Sequence, residues 1–127
     1  MGKGRRVVVA VALVVGLVSA MFATGVVAAP FKVTVGGNGF TYSPKTAHVN
    51  KGRRVKWTNA SGSQAHTVTF YKKPKGAKIK SFSLSAGESK KRKITKVGVY
   101  KYRCMIATHS SLSNGKCTGM CGKVRGH

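Results

Sequence analysis

Short segments in which apolar and polar residues alternate recur along the chain after residue 30. In the clearest of them, Tyr100, Tyr102 and Cys104 fall on one face, and Lys101 and Arg103 fall on the other. A period of two residues is typical of a strand that is buried on one side. No segment after residue 30 has a convincing helical period. The predicted strands cover residues 31–35, 40–42, 46–50, 53–58, 65–71, 81–84, 91–94, 97–104 and 122–125.

Glycine and proline turn signals separate these strands. Gly36-Gly-Asn-Gly39, Lys51-Gly52 and Ala86-Gly87 stand between alternating segments, and Ser43-Pro44 ends one of them. Many short strands joined by turns are typical of a β-sandwich or barrel. The 127 residues are enough for one domain. We therefore expect an all-β sandwich of about seven to eight strands over residues 30–127.

The first 29 residues have a different character. Lys3, Arg5 and Arg6 precede an uncharged apolar run that ends near Ala28 and Ala29. A basic start, an apolar middle and small residues at the end are typical of a secretory signal peptide. The run of about 23 residues is also long enough to span a bilayer. We expect residues 1–29 to be a signal peptide or an uncleaved membrane anchor. The domain would then be periplasmic, extracellular or on the outer face of the cytoplasmic membrane.

The charged residues of the sequence restrict which chemical functions are possible, and they say little about the fold. Lys and Arg total 24, Glu88 is the single acidic residue, and the formal net charge is +23. Without the basic residues of the leader the charge is +20. One carboxylate excludes catalysis by paired carboxylates and a carboxylate-rich magnesium or calcium site. The excess of cations predicts attraction to polyanions and to acidic partners.

Three residues carry the candidate chemistry. Cys104 ends the best-patterned strand, His109 follows five residues later in a loop, and His66 opens a different strand. Two imidazoles and a thiolate in one plane, with a weak thioether on the axis, suit a copper ion that cycles between Cu(I) and Cu(II). Zinc accepts the same donors but as a structural ion wants a fourth strong ligand, which the sequence does not place.

Four motifs surround these residues in the chain. They are Gly52-x-x-Val55-x-Trp57-x-Asn59 before His66, then Ala86-Gly87-Glu88, then Gly98-Val-Tyr100-x-Tyr102-x-Cys104, and finally Gly119-Met120-Cys121-Gly122-Lys123-Val124. With these motifs, residues 31–125 resemble the plastocyanin/azurin family of blue copper proteins, the cupredoxins. The resemblance implies a Greek-key sandwich that holds one type 1 copper at one end and carries electrons, and it implies no enzymatic activity.

The resemblance also implies the ligands. His66, Cys104 and His109 match the three equatorial ligands, and Met120 matches the axial one. Ten residues, from Ser110 to Gly119, lie between His109 and this methionine, whereas azurin-like proteins have few. Met105 or a backbone carbonyl is the alternative on the axis. Thr67 stands where many relatives have an asparagine that braces the cysteine loop.

The two remaining cysteines, Cys117 and Cys121, are free thiols, further soft ligands, or a pair. With Cys104 committed to a metal, the odd total of three leaves these two for each other, so in an oxidising compartment we expect a disulfide. We interpret His48 and His127 as surface residues that match no ligand position.

The function expected from the sequence is that of a one-electron carrier. The alternatives are a copper-delivery protein outside the cytoplasm and a basic wall-associated module with incidental copper. The implied partner is a redox protein, which the charge of the chain favours being acidic. We expect a monomer, a possible association with a membrane or anionic cell wall, and no specific nucleic acid, because no reading helix is present and the leader directs export.

Overall fold

The computed structural model describes residues 27–127, together with Gly2 and Gly4, and in them it contains strands and no helix. The strands are β1 (Phe31–Val35), β2 (Tyr42–Ser43), β3 (Thr46–Val49), β4 (Arg54–Asn59), β5 (His66–Lys72), β6 (Phe82–Leu84), β7 (Ser89–Lys93), β8 (Gly98–Arg103), β9 (Ser110–Ser113), β10 (Lys116–Gly119) and β11 (Cys121–Gly126).

The strands form two layers and a separate hairpin. One sheet has the order β2-β1-β4-β7, the other has the order β3-β11-β8-β5-β6, and β9 pairs with β10 alone. The pairs β1–β4 and β3–β11 are parallel, and the other pairs are antiparallel. A parallel pair needs a crossover connection, so the chain must pass between the two layers. The predicted all-β sandwich is confirmed.

The core lies between the two sheets and follows the period-two pattern. Trp57 is fully buried from the first sheet, and Tyr100 and Tyr102 are fully buried from the second. Trp57 and Tyr102 meet edge to face with ring centroids 5.7 Å apart. Aromatic rings in this arrangement add attraction beyond the area that they bury. The other fully buried core side chains are Val33, Val35, Ala47, Val49, Val55, Val68, Leu84, Ile94, Cys104, Met120 and Val124.

The two strands that sequence reasoning did not predict are β9 and β10, which form a hairpin within the ten residues after His109. The short segment predicted at residues 40–42 corresponds to β2, which has only two residues. The hairpin turns at Asn114 and Gly115, which both have positive φ angles, 50° and 73°. Asn-Gly is the preferred pair for such a two-residue turn.

The predicted signal peptide or anchor, residues 1–29, falls almost wholly outside the described residues. Within the part of the chain that the structure describes, no helix is long and apolar enough to cross a membrane.

Candidate metal centre

The ends of several strands meet at one end of the sandwich and bring the candidate ligands together. His66 is the first residue of β5, Cys104 directly follows β8, and His109 directly precedes β9. His66 is 1% exposed, Cys104 is 0% exposed and His109 is 8% exposed. The structure thus brings His66 to Cys104, which follows 38 residues later in the chain, and to His109, which follows Cys104 by five residues.

The donor atoms of this group have the spacing of a metal site. The Cys104 Sγ lies 3.9 Å from the His66 Nδ1 and 3.4 Å from the His109 Nδ1. The three donor atoms all lie within 4.8 Å of one another. For a first-row ion bonded at about 2.0 Å to nitrogen and about 2.3 Å to sulfur in a trigonal plane, the nitrogen-to-sulfur distance is about 3.7 Å. The residues present therefore fit a trigonal ion, and this donor set suits copper.

The backbone and side chain of Thr67 hold the cysteine end of the site. Its N–H donates to the Cys104 Sγ at 3.4 Å, and its hydroxyl oxygen accepts the N–H of Met105 at 2.8 Å. Hydrogen bonds to the thiolate tune the potential of such a centre. Thr67 therefore bridges β5 to the cysteine loop.

The loop between β1 and β2 covers the histidines from outside. Phe40 stacks on His109 with ring centroids 4.0 Å apart and meets His66 edge to face at 6.2 Å. A Cβ at Gly36 would lie 2.5 Å from the His66 Nε2, and the φ of Gly36 is +69°. Only glycine allows this close approach of backbone to imidazole. Sequence reasoning read this segment as a turn and missed both contacts.

Met120 lies beside the ligand strands, between β10 and β11. Its N–H donates to the His109 carbonyl at 2.8 Å, and its carbonyl accepts the Cys104 N–H at 3.2 Å. The Met120 side chain is fully buried, whereas the side chain of Met105 is 51% exposed. The Met120 side chain is thus enclosed by protein, whereas about half of the Met105 side chain faces solvent.

The predicted disulfide between Cys117 and Cys121 is confirmed, and Cys104 is the free cysteine. The bridge joins β10 to the first residue of β11 and therefore spans the position of Met120. A covalent link on either side of this residue restricts the path of the backbone there.

Burial also sets the ionisation of two groups near the thiol. The pKa of His66 is lowered, first by its burial and then by the charge of His109. The pKa of Tyr42 is raised well above its usual range by burial, with smaller effects from Cys104 and Tyr102. Tyr42 therefore stays a neutral donor, and its hydroxyl donates to the carbonyl of Thr67. Neutral imidazole is the form of histidine that binds a metal.

The other two histidines lie apart from this group, as the sequence predicted. His48 and His127 are exposed. The His48 Nδ1 and the His127 Nε2 are 3.0 Å apart and share a hydrogen bond, and the two rings stack with centroids 5.3 Å apart. Sequence reasoning placed both on the surface but gave no sign that they meet, because 79 residues separate them in the chain.

Comparison with known proteins gives one family and one fold. The model of the family described as copper binding proteins, plastocyanin/azurin family, matches residues 29–125. No curated protein matches the chain.

Several solved structures share the fold at low identity. A reduced proline-to-phenylalanine variant of amicyanin is 23% identical with a TM-score of 0.59, over 77% of this chain and 82% of that one. A purple cupredoxin from Nitrosopumilus maritimus is 19% identical with a TM-score of 0.58, over 76% of this chain and 99% of that one. A copper-containing nitrite reductase from Thermus scotoductus is 22% identical with a TM-score of 0.57, over 78% of this chain but only 22% of that one.

Proposed function

The chain belongs to the plastocyanin/azurin family of copper-binding proteins, and from this membership we propose that it is an exported one-electron carrier with a single type 1 copper and no catalytic activity of its own. The observation that carries the proposal is the buried group of two imidazoles and one thiol at one end of the sandwich. In this group the Cys104 Sγ lies 3.9 Å from the His66 Nδ1 and 3.4 Å from the His109 Nδ1. Copper bound there would supply a one-electron couple.

In this proposal His66, Cys104 and His109 are the equatorial ligands. A carrier exchanges electrons rapidly when its ligands move little between the two oxidation states, so they must be held in place before the metal arrives. Thr67 fixes the Cys104 end through two hydrogen bonds. Phe40 packs on the His109 ring and limits its rotation. The covered position of the imidazoles also keeps bulk water away from the site.

Met120 is the proposed axial ligand, supported by its complete burial and by its backbone bonds to His109 and Cys104. A weak axial bond helps Cu(II) more than Cu(I). Met120→Leu should therefore raise the reduction potential and alter the visible spectrum while copper stays bound. Met105→Leu is the matched control and should leave both unchanged. If the two variants exchange these results, Met105 is the axial ligand.

A visible spectrum of the copper-loaded protein tests the function. A short bond between thiolate and Cu(II) gives intense charge-transfer absorption. We expect a strongly coloured oxidised protein that bleaches on reduction, and no such band in Cys104→Ser. A copper-loaded, oxidised but colourless protein would contradict the proposal. A protein that gives its Cu(I) to a chelating partner but exchanges electrons slowly would instead be the copper-delivery protein that the sequence left as an alternative.

The proposed partner is an acidic redox protein outside the cytoplasm, and the chain is proposed to act as a monomer. A net charge of about +20 on a small domain produces a field that salt screens within roughly 10 Å at 0.1 M. Stopped-flow rates of electron exchange with such a partner should fall as salt is added. Rates that do not change with ionic strength would remove this part of the proposal and leave the copper centre untouched.

A further inference from the structure

A cleft with a volume of about 380 Å³ lies between the β9–β10 hairpin and the outer face of the larger sheet. Four lysines line it: Lys116 comes from the hairpin, Lys101 and Lys123 come from the sheet, and Lys45 precedes β3. The hydroxyl-bearing Tyr71 also lines the cleft. Positively charged side chains therefore line the cleft on both of its walls.

Among the residues that the structure describes, no acidic side chain lines the cleft and balances this charge. Lys101 and Lys123 are directly opposite each other on the neighbouring strands β8 and β11. Like charges in this arrangement repel each other and destabilise a sheet. Glu88, the single acidic residue of the sequence, lies 3.6 Å from Lys90 and does not line the cleft. An anion from outside the protein would remove the repulsion.

The kind of donor in the cleft indicates the kind of anion. The ammonium groups act as compact point charges, and four of them surround one small cleft. A phosphate carries nearly two negative charges on one group, and a diphosphate carries more in almost the same space, whereas each carboxylate of an acidic peptide carries one charge and the carboxylates are spread along a chain. The density of positive charge in the cleft thus favours phosphate over an acidic peptide.

We propose that this lysine cleft binds a compact, multiply charged phosphate of the diphosphate class. The hairpin wall is already fixed by the Cys117–Cys121 bridge and by the Met120 N–H bond to the His109 carbonyl. A site that exists before the ligand arrives loses less conformational entropy on binding. The bound anion links Lys116 on the hairpin to the sheet, so it should slow hydrogen exchange in β9 and β10. The proposal does not depend on copper.

Inorganic diphosphate, titrated into the copper-loaded, reduced and diamagnetic protein at about 0.15 M salt, tests the site by NMR. At this salt concentration, attraction to distant charges is largely screened. We expect saturable shifts that concentrate around Lys101, Lys123 and the hairpin. Lys101→Gln with Lys123→Gln should weaken binding at least tenfold, which corresponds to about 1.4 kcal/mol.

The matched control is Lys78→Gln with Lys80→Gln, which removes the same charge from exposed positions in a loop outside the cleft. It should change the affinity by less than about twofold. Equal weakening by both double variants, or shifts spread over the whole basic surface, would overturn the proposal and assign the binding to net charge. Without ligand, the Lys101 and Lys123 variant should melt at or above the temperature of the parent protein, because a repulsion is removed.

Two further arms identify the source of the anion. A peptide of four glutamates that binds more tightly than diphosphate, with the same dependence on Lys101 and Lys123, would overturn the choice of phosphate. Vesicles that contain phosphatidic acid test a lipid source of the same phosphate chemistry. Lysine-dependent binding to these vesicles that free diphosphate displaces assigns the phosphate to a headgroup, and absence of vesicle binding assigns it to a soluble ligand. A protein that fails to bind copper would still give these results, so the two proposals can fail separately.

Discussion

His66 and His109 have ring centroids 5.2 Å apart, and His48 and His127 have ring centroids 5.3 Å apart. We call the first two the inner pair and the second two the outer pair. The inner rings are tilted by 45° and each turns its Nδ1 toward the thiol of Cys104. The outer rings are nearly parallel, at 16°, and they share a hydrogen bond with each other. The inner pair is buried and the outer pair is exposed.

The contrast teaches that the distance between two imidazoles does not make a metal centre. In the outer pair a nitrogen that would bind a metal is occupied by the neighbouring ring. In the inner pair the rings are kept apart and oriented by surrounding groups, and a third, soft donor lies between them. Orientation by neighbours is what gives a ligand set its affinity and its choice of metal.

The largest expected effect comes from removing one ring of each pair. His66→Ala should weaken copper binding at least a hundredfold, because loss of groups that only orient ligands already costs about 10- to 100-fold. His48→Ala is the matched control and should change the affinity less than about twofold. Competition with a chelator of known affinity measures both. Comparable losses in the two variants would mean that the outer pair takes part in binding and that the contrast is wrong.

A smaller effect is expected at Thr67. The outer rings hold each other through a hydrogen bond, whereas the inner site is held by neighbouring groups such as Thr67. Thr67→Val keeps the shape of the side chain but leaves the N–H of Met105 without its acceptor. The free energy of unfolding should fall by about 0.5–1.5 kcal/mol, and the reduction potential should shift. Thr67→Ser keeps the hydroxyl and should restore the potential. A Val variant that matches the parent in both measurements would show that the hydroxyl does not brace the loop.

Ring stacking is present in both pairs and allows a direct test of environment. Phe40→Ala removes the ring that stacks on His109, which should lower the free energy of unfolding by about 1 kcal/mol. His127→Ala removes the stacking partner of His48, and this exposed contact should contribute less than about 0.5 kcal/mol. Chemical denaturation measures both changes. An equal cost for the two variants would contradict the contrast between an inner pair that its neighbours hold in place and an outer pair that is exposed.

The smallest effect concerns pH and the inner pair alone. Because the pKa of His66 is lowered in the folded protein, the unfolded chain binds the proton first as pH falls below about 6.5. The copper-free protein should therefore lose stability on acidification, by at most about 0.7 kcal/mol from this residue between pH 7 and pH 6. The free energy of unfolding, measured across this range, should depend less on pH in His66→Gln. A stability that rises on acidification in the parent relative to this variant would give the pKa shift the opposite sign.

The sequence was sufficient to predict the strands that contribute to the core and the buried group of ligands. Alternation placed Tyr100, Tyr102 and Cys104 on one face, and all three are fully buried. The approach of His66 to Cys104 and His109 was expected from the family resemblance rather than from the alternating pattern, since 38 residues separate His66 from the thiol. The disulfide was expected from the parity of the cysteines.

The elements that the sequence did not predict share a physical cause. The β9–β10 hairpin buries no apolar face, because its residues are exposed or only partly buried, so it has no alternation to read. The stacking of Phe40 on His109 joins residues that are far apart in the chain, and nothing local in the glycine-rich turn indicates what it will cover. Propensity and periodicity report on neighbours along the chain, whereas these features depend on contacts formed only in the folded molecule.

The closed base of the hairpin has a consequence for protein engineering. Ser110 pairs with Gly119, and the next bond is from the Met120 N–H to the His109 carbonyl, so the chain leaves and re-enters the domain at one point. A Cβ at Gly119 would lie 2.5 Å from that carbonyl, and the glycine must be kept. The turn at Asn114 and Gly115 lies at the far end of this closed ladder. It is therefore an insertion site at which an affinity tag or a grafted recognition loop can be displayed without altering the distance in space between His109 and Met120.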